Sequence, residues 1–337
     1  MATEEAVVSR EEEAVEGAMF FAHHRAGVVI DPEGRAFLFA PDGEHEAYAA
    51  RLACAPRQGH PAARSTIHDS LGGGEYASCV DGIRSAIRDG EVYQVNLTRA
   101  FQADTPCDPA RLYRALTGAR PPRSSAFIRT DRCTIASASP EVLLSFDRVT
   151  GVADTRPIKG TVRRDGDEAR EIEWLLRSEK DAAEHLMIVD VSRNDIGKVA
   201  AAGQVSVAEY RTVKTLEYVH HLESTVRATG LADRSATEVL AALSPAASIT
   251  GAPKRAAVRM IREIEPVPRG VYCGSIGFID GRRVEMSVAI RTAVVTEDRV
   301  RYHAGGGIVW DSDAELEDDE CRAKAAAFFG LMDGAGC

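Results

Sequence analysis

The spacing of apolar and polar positions switches repeatedly between a period of two and one near 3.6, and each switch marks an element. Alternation in VVIDPEGRAFLFA, residues 28 to 40, with a turn in its middle, predicts a hairpin. Helical spacing follows in YASCVDGIRSAIRD at 76 to 89, then a strand in VYQVNLTRAFQA after Gly90, then a helix at 109 to 117. From 124 to 162 the segments SAFIRT, CTIASAS, EVLLSFD and GVADTRPI are strand-like and separated by turn residues, which predicts an antiparallel meander. A helix is expected over 178 to 199, opened by Ser178 with Asp181 three positions later in the manner of a capping box. Strands at 204 to 210 and 219 to 228 precede helices at 235 to 243 and 252 to 263. CGSIGFID, RVEMSVAIRTAVV and RVRYHAGGGIVW read as strands, and 314 to 331 as a closing helix. Antiparallel strands interrupted by helices, without regular strand–helix alternation, indicate the α+β class.

Composition narrows the picture only modestly. A chain of 337 residues with 45% hydrophobic and 27% charged residues has ample material for one large core. Residues 1–17 are acidic and alanine-rich and are expected to be disordered; 18–70 form a short N-terminal region, and 71–331 the catalytic domain. The net charge of −10 disfavours nucleic acid and anionic membranes as partners, because both require a positive field. No basic segment leads into an apolar run, and no apolar run approaches a membrane span, so a cytoplasmic location is expected. The seven cysteines form no C-x-x-C pair, which argues against both a zinc site and a disulfide framework.

Several side chains stand out against this background. Asp181 and Glu184 lie three apart on one predicted helix, Glu317 and Glu320 on the last, so each pair shares a helix face. Solvated faces are the ordinary explanation, but Glu184 sits in the apolar setting AAEHLMIVDV, where a buried carboxylate needs a cation. Carboxylates from two helices, with no Cys or His cluster, suit a hard ion such as Mg²⁺. Gly305, Gly306 and Gly307 at a strand end offer either a tight turn or backbone N–H groups open to an anion. SITGAPKRA, from Ser248, reads as a helix start able to receive a carboxylate. His220 and His221 share a strand, so their rings face opposite sides and at most one reaches a site. Arg291 in SVAIRTAVV wants a carboxylate, its own or a ligand's. Lys159, between Pro157 and Gly160, is rigidly placed; as a nucleophile it must lose its proton, and Arg163 and Arg164 are positioned to help. Glu141, on the preceding strand of the same meander, is a candidate acid, with cross-strand pairing expected to bring it to Lys159.

VYQVNLTRAF, ASPEVLL, TRPIKGT, AEHLMIVDVSRNDIGKVA, VHHLES, SITGAPKRAAVRMI, GVYCGSIGFID, AIRT and GGGIVWDSDAELEDDECRAKA, in that order over residues 76 to 327, resemble the chorismate-utilising enzymes. The likeness is greatest to the branch containing aminodeoxychorismate synthase component I. It implies an anthranilate synthase component I-like α/β/β/α sandwich, with antiparallel sheets flanked by helices. By the same resemblance, Glu184 and Glu320 bind Mg²⁺ with Asp181 and Glu317 in support. Tyr272 and Arg291 hold the enolpyruvyl carboxylate of chorismate. Gly305, Gly306, Gly307, Ser248 and Lys324 contact substrate, Glu141 is the general acid for the C4 hydroxyl, and His221 is a site histidine. Lys159 stands where anthranilate synthases, which resemble the chain throughout, have alanine. It is implied to attack C2 covalently before ammonia adds at C4, giving 4-amino-4-deoxychorismate. Branches that add water carry a lysine where this chain has Gln94. No G-x-C-x-G nucleophile elbow is present, so a glutaminase subunit is the expected source of ammonia. The short N-terminal region puts tryptophan binding in doubt. Anthranilate synthase component I and a silent chorismate-binding paralogue are the competing readings.

Overall fold

The computed structural model describes residues 22, 24, 26–30, 36–53, 66–72, 74–118, 121–216 and 219–333. The predicted hairpin is β1 (Gly27–Ile30) and β2 (Ala36–Phe39), with Val28 opposite Leu38, and α1 (His45–Ala53) follows. These elements belong to one compact unit, Met1–His60. Residues 1–17 lie outside the described residues.

The second unit, Pro61–Cys337, carries everything else. In chain order it contains β3 (Ile67–Asp69), α2 (Glu75–Arg88), β4 (Gln94–Ala103), α3 (Pro109–Thr117), β5 (Ala126–Arg129), β6 (Thr134–Ser137), β7 (Val142–Asp147), β8 (Val152–Arg156) and β9 (Ile158–Arg163). Next come α4 (Glu168–Arg177), α5 (Glu179–Gly197), β10 (Val205–Thr215), β11 (Val219–Ala228), α6 (Ala236–Leu243), β12 (Gly251–Ala252) and α7 (Lys254–Ile264). The unit closes with β13 (Ser275–Ile279), β14 (Arg283–Val288), β15 (Thr292–Val295), β16 (Val300–Ile308), α8 (Ala314–Lys324) and α9 (Ala326–Met332).

The strands form two antiparallel sheets. One runs β10-β11-β8-β7-β14-β13, with β9 also on β11; the other runs β12-β4-β16-β15-β6-β5, with β3 also on β4. Each sheet has its own apolar core against its own helices. Leu97, Phe101 and Tyr302 pack with Tyr76, Val80, Leu112 and Phe328, while Val226, Phe146 and Val284 pack with Val189, Ile196 and Val239. The α+β layering expected from the resemblance is therefore present. Strand β4 shows why polar residues are buried in it. Val95, Leu97 and Phe101 face the helices, and the alternate positions Gln94, Asn96 and Thr98 are equally enclosed on the other face.

Three expectations need correction. The meander over 124 to 162 is split: β5 and β6 lie in one sheet, β7 and β8 in the other, and the chain crosses between sheets at 138–141. RVEMSVAIRTAVV is likewise two strands in different sheets, β14 and β15. Arg291, at the break, has φ of 49°, and its carbonyl accepts from Ala138 N–H at 3.0 Å, tying the two crossings together. A period-two apolar run continues unbroken through such a corner, so the pattern hides it. The closing helix is also two, α8 and α9, because Tyr302 Oη donates to the Lys324 carbonyl at 3.2 Å and Ala325 leaves helical geometry. Helix α4, which the pattern did not announce, starts at the Asp167 cap.

Candidate functional site

The crossings between sheets supply two of the site's groups, and helices from both faces supply the rest. Glu141 ends the first crossing and is 5% exposed. Ser248, in the 3₁₀ turn Ala247–Ile249, donates from Oγ to Glu141 Oε1 at 2.5 Å. Oε2 takes no hydrogen bond from the described residues. Burial pushes the Glu141 carboxyl up to about 7, against the opposing pull of the Ser248 hydroxyl and the Lys159 charge, while Glu223 adds to the rise. A carboxyl titrating there can both hold and release a proton at neutral pH.

Lys159 lies on β9, and β9 pairs with β11, not with the strand of Glu141. The expected cross-strand partnership is thus absent. The two are neighbours because Val142 pairs with Arg156 and the chain then turns through Pro157 into β9, which leaves them close enough for the lysine charge to act on Glu141. The Lys159 carbonyl is fixed by His185 Nδ1 at 3.1 Å, and His185 Nε2 meets Ser224 Oγ at 2.6 Å. Gly160 has φ of 85°, which strains any other residue, and a Cβ there would stand 3.2 Å from Asp181 Cβ and crowd α5. Arg163 is exposed, and Arg164 is engaged by Glu168 and the Leu216 carbonyl.

Helices α5 and α8 bring their carboxylates toward this amine. Lys159 Nζ is 4.0 Å from Glu184 Oε2, Lys180 Nζ is 3.7 Å from Glu317 Oε1, and Lys324 Nζ is 2.7 Å from Glu320 Oε1 and 2.8 Å from the Gly305 carbonyl. Desolvation raises the Glu184 carboxyl, with Asp181 and Glu317 adding to the rise, whereas Lys324 holds Glu320 low. Among the described residues, no three His, Cys, Asp or Glu side chains already close into a metal cage. Acidic groups from two helices, each balanced by a lysine, nonetheless fit a hard divalent ion that completes its shell with water and substrate oxygens.

The three glycines lie within β16, opposite Thr98, Leu97 and Asn96 of β4, and do not form a strand-end turn. A Cβ at Gly306 would stand 3.1 Å from Glu317 Oε2 and 3.9 Å from Glu320 Oε1; one at Gly307 would stand 2.9 Å from Lys159 Nζ and overlap the Gln94 amide. The glycines keep the strand surface open where the charged groups converge. Gln94 is fully buried, and among the described residues neither amide atom has a partner, so both face the open strand beside Gly307. In the sequence Gln94 serves only to distinguish the branches that add water. Its signal was a polar position inside an alternating strand.

Of the histidine pair, His220 faces α4, with Nε2 3.2 Å from Glu171 Oε2, and His221 faces between the sheets. Burial, with Arg291 and Lys214 adding, lowers His221 to about 4, so it is neutral at pH 7. No described carboxylate pairs with Arg291, which leaves its guanidinium for a ligand. Tyr272 is buried and stacks on His303 with centroids 5.2 Å apart. Among the described residues both His303 ring nitrogens lack partners, another feature that spacing does not single out.

Residues 4–330 match the family of chorismate binding enzymes. The chain is 41% identical over 254 residues to aminodeoxychorismate synthase component 1 of Salmonella typhimurium, covering 74% of this chain and 56% of that protein. It is 37% identical over 266 residues to an anthranilate synthase component 1 of Halobacterium salinarum, covering 77% and 50%. The chain thus spans about half the length of these curated relatives. Among solved structures, anthranilate synthase component I from Streptococcus pneumoniae superposes with a TM-score of 0.81 at 29% identity, over 92% of this chain and 72% of that one. The menaquinone-specific isochorismate synthase of Escherichia coli, at 23% identity, gives 0.78 over 95% and 77%, a likeness of fold.

Proposed function

The chain belongs to the family of chorismate binding enzymes, and from that premise we propose that it converts chorismate and ammonia to 4-amino-4-deoxychorismate. The observation that carries this reading is Lys159. Its amine lies over the open strand at Gly307, near an acid that titrates at about 7. Relatives named aminodeoxychorismate synthase and anthranilate synthase match almost equally well, at 41% and 37% identity, so overall similarity does not choose between them.

In this mechanism Arg291 and Tyr272 hold the enolpyruvyl carboxylate. The Lys159 amine forms a bond to C2 of the ring as the C4 hydroxyl leaves, protonated by Glu141 to give water. Ammonia then bonds to C4, the C2–nitrogen bond breaks, Lys159 departs as a free amine, and the surplus proton passes to Glu141. Glu184 and Glu320, with Asp181 and Glu317 in support, would hold Mg²⁺, whose chemistry is to neutralise the ring carboxylate. Neutral His221 is available as a hydrogen-bonding partner. A glutaminase subunit is the proposed source of ammonia in the cell.

The test is product analysis after incubating the purified chain with chorismate, Mg²⁺ and ammonium. Aminodeoxychorismate supports the reading; pyruvate with anthranilate would assign the anthranilate synthase reaction, and no turnover a silent paralogue. Without ammonium, intact-mass measurement is expected to find an adduct on Lys159. Undiminished turnover by Lys159→Ala would remove the lysine from the mechanism.

A further inference from the structure

A pocket with room for a single water-sized molecule lies beside Glu141, walled by Thr155 of β8, Ser192 and Asp195 of α5, and Ser248. Its polar walls are themselves buried. Thr155 is 5% exposed, Ser192 6%, Asp195 2% and Ser248 7%. Their hydrogen-bonding capacities are unequal. Ser192 Oγ gives its proton to the Ile188 carbonyl at 2.8 Å and Ser248 Oγ gives its proton to Glu141, so both present only lone pairs to a guest. The Asp195 carboxylate, held by Lys198 and Lys254, also only accepts. The Thr155 hydroxyl has no partner among the described residues. Leu143, Leu243 and Ala246 close the other side of the cavity, so a guest in it is the hydroxyl's available partner.

We propose that this pocket is the subsite in which ammonia waits before it attacks C4. Three accepting walls, Ser192, Ser248 and Asp195, and one available donor, Thr155, suit a guest with three N–H bonds and one lone pair better than water, which has only two O–H bonds. The position fits the chemistry, since the acid that protonates the departing C4 hydroxyl must sit at C4, where the new nitrogen has to arrive. In the step itself the ammonia lone pair forms the C4–N bond and the C2–N bond to Lys159 breaks. One ammonia proton then moves to the Glu141 carboxylate, restoring the acid. This inference rests on the proposed amination.

Steady-state kinetics of the full chain with ammonium chloride as nitrogen donor test it. Thr155→Val keeps the shape of the side chain and removes the hydroxyl. It is expected to raise KM for ammonium about tenfold, the equivalent of roughly 1.4 kcal/mol, with KM for chorismate moving less than twofold. Thr155→Ser is expected to restore the ammonium KM, and Ser192→Ala to raise it independently. Unchanged ammonium KM in both Thr155→Val and Ser192→Ala, with amination intact in the wild type, would overturn the subsite alone. A fall in kcat at unchanged ammonium KM would also overturn it, by assigning the pocket to the departing water. A wild-type chain that turns over chorismate without taking up ammonium would overturn the subsite and the functional reading together.

Discussion

Replacing Glu141 by glutamine should remove activity and increase stability, and the gain should depend on pH in a defined way. In the folded chain the carboxyl titrates at about 7, against 4.5 for an unperturbed glutamate, and its largest cause is burial. Below pH 4.5 both states carry the proton and the wild type has no electrostatic penalty. Between 4.5 and about 7 the unfolded chain ionises while the folded chain keeps its proton, so the folded state loses stability as pH rises. Above 7 the loss is complete. At about 1.4 kcal/mol per pH unit, the interval from 4.5 to about 7 amounts to about 3 kcal/mol. Glutamine has the same shape, can still accept from Ser248 through its amide oxygen, and never ionises. Urea unfolding of both proteins from pH 4.5 to 8.5 should show the variant's advantage growing by about 3 kcal/mol across the range, because titrations of groups that do not act on Glu141 are common to the two. Amination should fall by about 10²- to 10⁴-fold, as expected for a lost general acid. A stability difference that does not change with pH would refute the assignment of Glu141 as a buried, strained acid.

Ser248→Ala removes a hydroxyl that favours the ionised carboxyl, so the alkaline limb of the pH profile of kcat/KM should move up by about one pH unit. Arg291→Lys replaces an unpaired fork by a point charge, and kcat/KM for chorismate should fall about 10- to 100-fold, mainly through KM. Gly160→Ala forces a side chain at φ of 85° and against Asp181; thermal unfolding should register a loss of about 1–3 kcal/mol. Chelation should abolish turnover and added Mg²⁺ restore it, whereas Glu320→Gln should require more Mg²⁺ for half-maximal rate.

The sequence was most informative where local chemistry decides the structure. The α3 bounds matched their predicted span, since Asp108 caps it and Pro109 starts it. The Ser178 side chain accepts from Asp181 N–H, as the capping pattern implied. The two acidic helices do bring Glu184, Glu317 and Glu320 toward one region, because helical spacing dictates a face. Less was legible where distant backbone decides. Glu141 and Ser248 are 107 residues apart in the chain, and no periodicity relates them. Arg291 sits at a corner whose apolar neighbours continue without a break on either side. Gln94 and His303 became visible only once their neighbours left them without partners. Local patterns report what a segment becomes, and the contacts between crossings remain outside their range.

The place of β16 in its sheet has a consequence for biosynthesis. It lies between β4 and β15, yet it is the last of the described strands in chain order, and α8, which carries Glu317, Glu320 and Lys324, comes after it. Until residue 308 has left the ribosome, β4 and β15 each present an open edge, and the strand joining them is missing. Pairings such as Val95 with Ile308 close loops of more than two hundred residues, which slows folding and prolongs exposure of those edges. The edge of β4 that β16 covers therefore stays unpaired while about two hundred residues are added between them, open to pairing with another chain.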